Sequence, residues 1–295
     1  MSRALRIGTR GSKLALWQAN EVARRLHATG CETEIVPIRT SGDKRPEASL
    51  ASIGGKGVFI KELEEAPAAG TIDLAVHSLK DVPSMVPDSF VLAAFLERGD
   101  PRDAWVQRDR ISFHDMPAGS MIGTSAPRRR AQLRLLRPDL RLEEIRGNVD
   151  TRVAKVRSGV YAGAVLAAAG LERLGLQSEV TSYFSLDEMI PAAGQGIIVM
   201  ETLDGQSLPR TINNGDAEMA ARCERGVLQK FGTLLDCYSA VAVHATIGSS
   251  ITIRAFFGDG DRAIRVRRRA AQVDAVIHAT YEALVAEGAR ELLER

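Results

Sequence analysis

The chain has 295 residues, of which 45% are hydrophobic and 26% are charged, and its formal net charge is +2. The length is typical of two or three domains, and the small net charge argues against a nucleic-acid-binding protein. Charged residues interrupt the N-terminal segment, so we expect neither a secretion signal nor a membrane span. The three cysteines, Cys31, Cys223 and Cys237, form no CxxC pair, which argues against a disulfide framework or a zinc site and favours a cytoplasmic protein without metal.

The first third of the chain alternates between strand and helix patterns. "LRIGTR" predicts a strand, and the helix after it has Ser12 as its N-cap and Gly30 as its C′ residue. "TEIVPIRT" predicts a second strand, "KGVFIKELEEA" a helix that Pro67 ends, and "IDLAVHS" a buried strand. This alternation indicates an α/β domain with a parallel sheet.

The same pattern begins again near residue 101. "MIGTSAPRRRAQLRLL" predicts a strand and a helix, "LRLEEIRG" a strand, "VDTRVAKVRSG" a helix and "YAGAVLAAAG" a buried strand. The Gly-rich segment "PAAGQG" then leads into the apolar strand "IIVMET". We expect a second α/β domain, after which this strand returns the chain to the first domain.

A different pattern occupies the C-terminal part. Asp216 is expected to cap a helix with Met219, Cys223, Val227 and Phe231 on one face. "AVAVHATI", "SITIRAFF" and "AIRVRRRA" predict three alternating strands, with a turn at "GDGD" between the last two. A helix over residues 273–294 completes a small α+β domain.

Arginines recur where the predicted strands lead into helices. In open α/β sheets, ligands bind at the carboxyl ends of the strands, and helix N-termini there favour anions. A guanidinium group binds a carboxylate with two parallel hydrogen bonds, so the set indicates a site for a ligand with several carboxylates or phosphates. Any one of them alone is more typical of solvated surface charge. The set is Arg10, Arg128, Arg129, Arg130, Arg146, Arg152 and Arg173.

Three further segments carry candidate chemistry. "HSLKDVPS" places Lys80 and Asp81 just past a buried strand, where the carboxylate either stabilises a developing cation or only organises a turn. "IGGKGVF" has Lys56 in a Gly-rich loop that lacks the P-loop pattern and is either an anion-contacting loop or a plain turn. In "GTLLDCYSAV", Cys237 is a buried small hydrophobe, a nucleophile or an attachment point.

These segments together resemble a known family. The matching segments are collinear, cover most of residues 5–200, and are similar to porphobilinogen deaminases (hydroxymethylbilane synthases). "HSLKDVP" and "IRGNVDTR" are the most specific, and the C-terminal third matches more weakly in "CERGVLQKF" and "AVAVHA". The other matching segments are "RIGTRGSKLALWQA", "GGKGVFIKELE", "GDPRDA", "IGTSAPRRRAQL", "RPDL", "AGLERLGL" and "PAAGQG".

The resemblance implies a transferase of tetrapyrrole biosynthesis. Four porphobilinogen molecules are joined head to tail with loss of ammonia on a covalent dipyrromethane primer, and 1-hydroxymethylbilane is released by hydrolysis. It implies two α/β domains like those of periplasmic binding proteins plus a small α+β domain with a three-stranded antiparallel sheet. We place the domains at residues 1–97 with 197–212, at 101–190 and at 215–295, and we expect a monomer.

The resemblance also implies roles for individual residues, and no metal. Asp81 matches the catalytic aspartate, which would accept pyrrole N–H hydrogen bonds and stabilise the cation left after deamination. Cys237 matches the cysteine that carries the dipyrromethane through a thioether. The remaining cofactor-binding positions are Ser78, Lys80, Thr124, Ser125, Arg128, Arg129, Arg146, Gly147, Arg152 and Gly170. The substrate-binding positions are Arg10, Ser12, Lys56, Phe59, Arg173 and Gln195.

The chain departs from the family pattern around the attachment cysteine. Leu235 and Asp236 replace two glycines, and Ala240 replaces a proline. Glycine permits positive φ more readily than leucine or aspartate does, so these changes affect the expected backbone of the loop. Ala126 and Ala162 replace a common serine and a common aspartate, and Pro67 lies in a helix that usually continues.

Two other functions compete with the enzyme. The first is a degenerate two-lobed protein that binds carboxylates without chemistry, which the altered "LLDC" loop favours. The second is a nucleic-acid or heparin binder that uses "PRRR" and "RVRRR", which the near-neutral charge and the lack of interleaved aromatic residues argue against. A charged strand face that prevents edge pairing explains "RVRRR" better.

Overall fold

The computed structural model describes residues 3–40, 61–206, 210–236 and 238–294. The chain divides into two compact units: unit 1 is Met1–Gly99 with Gly196–Met219, and unit 2 is Asp100–Gln195 with Ala220–Arg295. The chain therefore passes from one unit to the other at residues 99/100, 195/196 and 219/220. None of the described helices is long and apolar enough to cross a membrane.

Strands and helices of the described residues are numbered here in chain order. The strands are β1 (Leu5–Arg10), β2 (Thr33–Ile38), β3 (Leu74–Ser78), β4 (Phe90–Phe95), β5 (Asp103–Val106), β6 (Met121–Gly123), β7 (Arg141–Glu143), β8 (Gly163–Ala167), β9 (Val180–Tyr183), β10 (Ile198–Leu203), β11 (Ala240–Thr246), β12 (Ile251–Gly258) and β13 (Ala263–Ala270). The helices are α1 (Lys13–His27), α2 (Lys61–Ala68), α3 (Pro127–Leu136), α4 (Val149–Arg157), α5 (Ala168–Arg173), α6 (Gly215–Gln229), α7 (Val273–Ala286) and α8 (Ala289–Leu293).

The two five-stranded sheets have the same topology. Unit 1 has the order β2-β1-β3-β10-β4 and unit 2 the order β7-β6-β8-β5-β9. In each sheet the first three strands are parallel, and the fourth is antiparallel to both of its neighbours. The predicted parallel sheet is present in the first three strands of each sheet, and the fourth strand departs from it. This fourth strand follows directly after a passage between the units, so no crossover helix imposes a parallel direction.

The third sheet, β11-β12-β13, is antiparallel throughout and belongs to unit 2. The predicted fold class, two α/β sheets plus a three-stranded antiparallel sheet, is therefore confirmed. The bounds of the three predicted domains stay a prediction. The basic run "RVRRR" lies on β13, at the edge of this sheet, where charged side chains discourage pairing with another chain.

Helix α3 is held between two hydrophobic clusters of unit 2. Leu133 packs with Trp105 and Val165 of the second sheet. Ala131 packs with Ala242 and Phe256 of the third sheet. Because α3 is packed on both sides, the arginines in its first turn start from a rigid support.

The helix ends differ in part from the sequence predictions. Ser12 caps α1 as predicted, and its side chain accepts a hydrogen bond from the Ala15 amide at 3.2 Å. Gly30 has φ +84°, but it lies two positions after the C-cap residue Ala28 and not at C′. The predicted cap at Asp216 was wrong, because Asn214 accepts the Ala217 amide at 2.9 Å.

Two other helix boundaries also differ. Pro67 lies inside α2, which ends one residue later at Ala68. The predicted C-terminal helix is broken into α7 and α8 at Gly288, whose φ of +84° is left-handed. A left-handed residue ends the regular hydrogen-bond ladder of a helix, which explains the break.

Candidate functional site

In unit 1, the carboxyl ends of β1 and β3 carry the predicted residues. The two strands are adjacent and parallel, so their ends lie at the same edge of the sheet. Arg10 is the last residue of β1, Ser12 caps α1, and Ser78 is the last residue of β3. All three are half-buried.

Asp81 ends a short 3-10 turn, Leu79–Asp81, that follows β3. The turn is anchored by buried Leu79, whose amide donates to the Ile197 carbonyl at 3.0 Å, and by buried Val82. Lys80 and Asp81 are exposed, and the Asp81 carboxylate has no partner among the residues that the structure describes. The turn therefore presents a carboxylate whose backbone is fixed and whose acceptor oxygens are available.

A buried glutamine, which the sequence did not reveal as functional, supports the end of β3. Gln18 is 3% exposed, and its Nε2 donates to the Ser78 hydroxyl at 2.7 Å. A polar side chain on the otherwise apolar face of α1, beside Ala19 and Val22, was the available signal. This bond orients Ser78 next to the turn of Asp81.

In unit 2, the predicted residues follow three parallel strands. β6 lies between β7 and β8, so the segments after these strands share one edge of the sheet. Thr124 is buried, and the half-buried Ser125 donates its hydroxyl to the Ile145 carbonyl. Gly170 is buried inside α5, and Arg173 ends that helix and is half-buried.

Arg128 and Arg129 form a buried cluster with Asp103. Nη1 of Arg128 donates to Oδ2 of Asp103 at 2.6 Å, and Nη2 of Arg129 donates to Oδ1 at 2.7 Å. Arg128 also donates to the Ile190 carbonyl and Arg129 to the Val165 carbonyl. Asp103 is fully buried and was not singled out from the sequence, although it lies in the "GDPRDA" segment.

The electrostatics of this cluster favour an anion. Burial opposes ionisation of Asp103, but the charges of Arg128 and Arg129 hold the pKa of this carboxyl well below its ordinary value of 3.8. Burial lowers the pKa of Arg129 to about 10 despite the Asp103 carboxylate. Two guanidinium groups face one carboxylate, so the cluster has one excess positive charge. Among the described residues, each terminal nitrogen of Arg129 donates to one acceptor, so each has a second N–H that can bind another acceptor.

Gln195 is fully buried against the same cluster. Its Oε1 accepts from Arg128 at 2.9 Å, and its Nε2 donates to Asp103 Oδ1 at 3.0 Å and to the Pro101 carbonyl at 2.7 Å. The predicted contact with substrate stays a prediction. What the structure does place is the Gln195 amide within the ion cluster of unit 2.

The loop after β7 brings Arg146, Gly147 and Arg152 together. Gly147 has φ +104°, and a Cβ there would lie 2.8 Å from Thr151 Cγ2, so this position requires glycine. Arg152 Nε donates to the Gly147 carbonyl at 2.7 Å, and Arg146 pairs with Glu144. The charge of Arg152 lowers the pKa of Arg129, so this loop adds to the positive field of the cluster.

The turn on either side of residue 237 is organised by Asp236. Its Oδ1 accepts from the amides of Tyr238 at 2.9 Å and Ser239 at 2.7 Å, and also from the Ser239 hydroxyl. Leu235 has φ −95°, and among the described residues Arg110 is the non-glycine residue with positive φ. Leu235 and Asp236 therefore need no left-handed backbone, contrary to the concern that the sequence raised.

Three predicted residues lie outside the described part of the chain. They are Lys56, Phe59 and Cys237. The other two cysteines are Cys31, which is half-buried, and Cys223, which is buried. Burial, with the charge of Glu224, raises the pKa of the Cys223 thiol to about 11, which keeps it neutral and unreactive at physiological pH.

Comparison with known proteins decides the family. Residues 5–209 match the family model described as "Porphobilinogen deaminase, dipyromethane cofactor binding domain". The chain belongs to the porphobilinogen deaminase family. The porphobilinogen deaminase of Syntrophotalea carbinolica is 43% identical over 99% of this chain and 96% of that protein. The porphobilinogen deaminase of Nitrobacter hamburgensis is 44% identical over 98% of this chain and 92% of that protein.

The family assignment confirms the resemblance that the motifs indicated. A porphobilinogen deaminase from Geobacter sulfurreducens is 43% identical over 98% of this chain and 93% of that protein. The match to the cofactor-binding domain also confirms the predicted dipyrromethane cofactor.

The residues of unit 2 fit such a group. A dipyrromethane made from porphobilinogen carries acetate and propionate side chains, so its binding site needs cationic donors. The excess positive charge of the Arg128–Arg129–Asp103 cluster and the spare N–H groups of Arg129 supply donors of that kind.

Proposed function

We propose that this protein is a hydroxymethylbilane synthase. It joins four porphobilinogen molecules head to tail, with loss of ammonia at each addition, on a dipyrromethane primer bound to Cys237, and it releases 1-hydroxymethylbilane by hydrolysis. Family membership over nearly the whole chain supports the reaction. The observation that carries the proposal is the exposed Asp81 carboxylate on its anchored turn.

Asp81 is the residue that acts on the reacting groups. Its oxygens accept hydrogen bonds from pyrrole N–H groups, and its negative charge stabilises the cation that forms when ammonia leaves. Fixation of the turn through Leu79 and Val82 means that little reorganisation is needed when that charge develops. Lys80 and Ser78 lie beside it for carboxylate groups of the cofactor, and Arg10 and Ser12 lie at the same sheet edge for those of the substrate.

The arginines of unit 2 hold carboxylates of the cofactor and the growing chain. Bound dipyrromethane would supply the free pyrrole carbon to which the first porphobilinogen unit is joined, and each later unit would be joined to the last pyrrole of the growing chain. Arg128 and Arg129 act from the buried cluster, and Arg146, Arg152 and Arg173 from the segments after β7 and β8. Thr124, Ser125, Gly147 and Gly170 line the same edge of the sheet and complete the predicted cofactor contacts. Substrate contacts of Lys56, Phe59 and Gln195 complete the proposed site.

The experiment compares Asp81→Asn with the wild type. Because Asp81 is exposed and has no partner among the described residues, the variant should fold with an unchanged Tm. Loss of the charge that stabilises the cation should lower kcat by about a hundredfold or more. The measurements are ammonia release from porphobilinogen and thermal unfolding. A variant with wild-type turnover would contradict the proposed role of Asp81.

The alternative hypothesis, a two-lobed protein that binds carboxylates without catalysis, loses its main support. It rested on the altered "LLDC" loop, and Asp236 organises that loop without positive φ at Leu235. We also propose that the protein acts as a cytoplasmic monomer without nucleic-acid partners, and that its three sheets mark the three domains set out above. Light scattering on the purified protein tests the oligomeric state.

A further inference from the structure

A buried carboxylate in α6 has no role in the site as described so far. Glu224 is 0% exposed. Its Oε2 accepts the Gly194 amide at 2.6 Å, and its Oε1 accepts the Ala245 amide at 2.8 Å. His244 Nδ1 lies 3.4 Å from Oε1. Glu224 thus joins β11 to the segment around Gly194, just before the chain leaves unit 2 after Gln195.

The bond to Gly194 acts directly on the backbone that carries Gln195. Gly194 has φ +76°, a left-handed conformation that directs its N–H toward Glu224. The backbone N–H of Gln195 then donates to the Ala192 carbonyl at 3.0 Å and closes a tight turn. A charge-assisted hydrogen bond to a fully buried carboxylate is short and strong, so it holds this turn in one conformation.

From that turn the Gln195 side chain reaches the arginine cluster. It accepts from Arg128 at 2.9 Å and donates to Asp103 at 3.0 Å. Glu224 is therefore one peptide unit and one side chain away from the group that aligns Arg128. All of these residues belong to unit 2.

We propose that Glu224 is a positioning residue for Arg128 and Arg129. Glu224 fixes the backbone turn at Gly194, and this turn fixes the position of the Gln195 side chain. The side-chain carboxamide of Gln195 then holds Arg128 and Asp103 in place through its hydrogen bonds. This inference rests on the proposed function, in which the two arginines hold carboxylates of the cofactor. Glu224 itself touches neither cofactor nor substrate.

The test is Glu224→Gln in the cofactor-loaded enzyme. An amide has one oxygen, so its NH2 group must face either the Gly194 or the Ala245 N–H. Because the arginines hold carboxylates of the cofactor, kcat should fall by at least about tenfold, and this fall should exceed any change in KM for porphobilinogen that comes from the proposed Gln195 contact with substrate. The matched control is Glu282→Gln on α7, where the side chain is 58% exposed, and it should behave as wild type.

A double variant separates positioning from simple structural support. If Glu224 acts through Gln195, Glu224→Gln combined with Gln195→Ala should lose no more activity than Gln195→Ala alone, within about twofold. Losses that multiply would overturn the proposal, as would wild-type kinetics in Glu224→Gln.

A second variant covers the case in which Glu224→Gln does not fold. Gly194→Ala strains the backbone at φ +76° and moves the amide without removing the carboxylate. It should reproduce the loss in kcat, again without adding to Gln195→Ala, and wild-type kinetics in this variant would overturn the proposal.

The inference can also fail separately from the proposed function. If the wild type releases no ammonia, the proposed function is wrong. The same pairs of variants are then compared by their urea midpoints. A double variant with a smaller shift than the sum of the single shifts supports the link from Glu224 to Gln195, and an additive shift overturns it.

Discussion

The Asp103 carboxylate accepts hydrogen bonds from two buried guanidinium groups, with Arg128 donating to both of its oxygens and Arg129 to Oδ1, and this arrangement holds both arginines near the sheet edge. Its stabilisation has a definite pH dependence. The folded-state pKa lies below the ordinary value of 3.8, so the stabilisation is fully present above pH 3.8 and is lost as pH falls through the lower folded value.

At the same scale, Asp103→Asn should destabilise unit 2 strongly. Removing one partner of a buried pair leaves Arg128 and Arg129 uncompensated, which costs about 3–5 kcal/mol. Urea unfolding at pH 7 measures the change. Asp139→Asn is the control, because Asp139 forms a partly exposed pair with Arg137, and the loss of such a pair should destabilise the protein far less. Equal costs for the two variants would contradict the claim that Asp103 compensates two buried positive charges.

The sequence predicts the positions of the arginines but not their partner. Arg128 and Arg129 stand at a strand-to-helix junction, and this position indicates an anion site. Asp103 precedes them by 25 and 26 residues and reaches them only because β5 inserts beside β8 as an antiparallel strand. That contact depends on tertiary structure, which is also why Gln18 and Glu224 were missed.

At the scale of elements, local patterns predicted the alternating strands well. β11, β12 and β13 lie within one residue of, or at, the predicted segments. β13 begins with alternating exposed and buried residues, whereas β11 and β12 are short runs in which neighbouring residues such as Phe256 and Phe257 are both buried. Antiparallel β5 and β10 could not be predicted in the same way. A short apolar run is compatible with either direction, and the choice depends on where the chain enters the sheet.

A prediction at the scale of elements concerns the backbone amides of Tyr238 and Ser239, which donate to Asp236. Asp236→Ala removes the acceptor for the Tyr238 and Ser239 amides, so those amides should exchange hydrogen at least about tenfold faster than in the wild type. Asp236→Asn keeps an acceptor oxygen and should exchange at nearly the wild-type rate. Hydrogen exchange read by mass spectrometry checks both variants. Unchanged exchange in Asp236→Ala would mean that other contacts hold the turn.

At the scale of the whole molecule, one sheet topology occurs twice, and each copy carries proposed functional residues at the carboxyl ends of its own parallel strands. We propose that unit 1 presents the Asp81 carboxylate for the chemistry and that unit 2 presents buried cations for carboxylates. The third sheet packs against α3, the helix that carries Arg128 and Arg129 in its first turn. The division of roles explains why the functional motifs are scattered along the sequence.

The intact mass of the purified protein tests the central claim most directly. Protein from cells that make porphobilinogen should be heavier than its polypeptide by two linked pyrrole units. The added mass should map to the peptide that contains Cys237, disappear in Cys237→Ser and remain in Cys31→Ser. A wild-type protein with only the polypeptide mass, and no product from added porphobilinogen, would contradict the account.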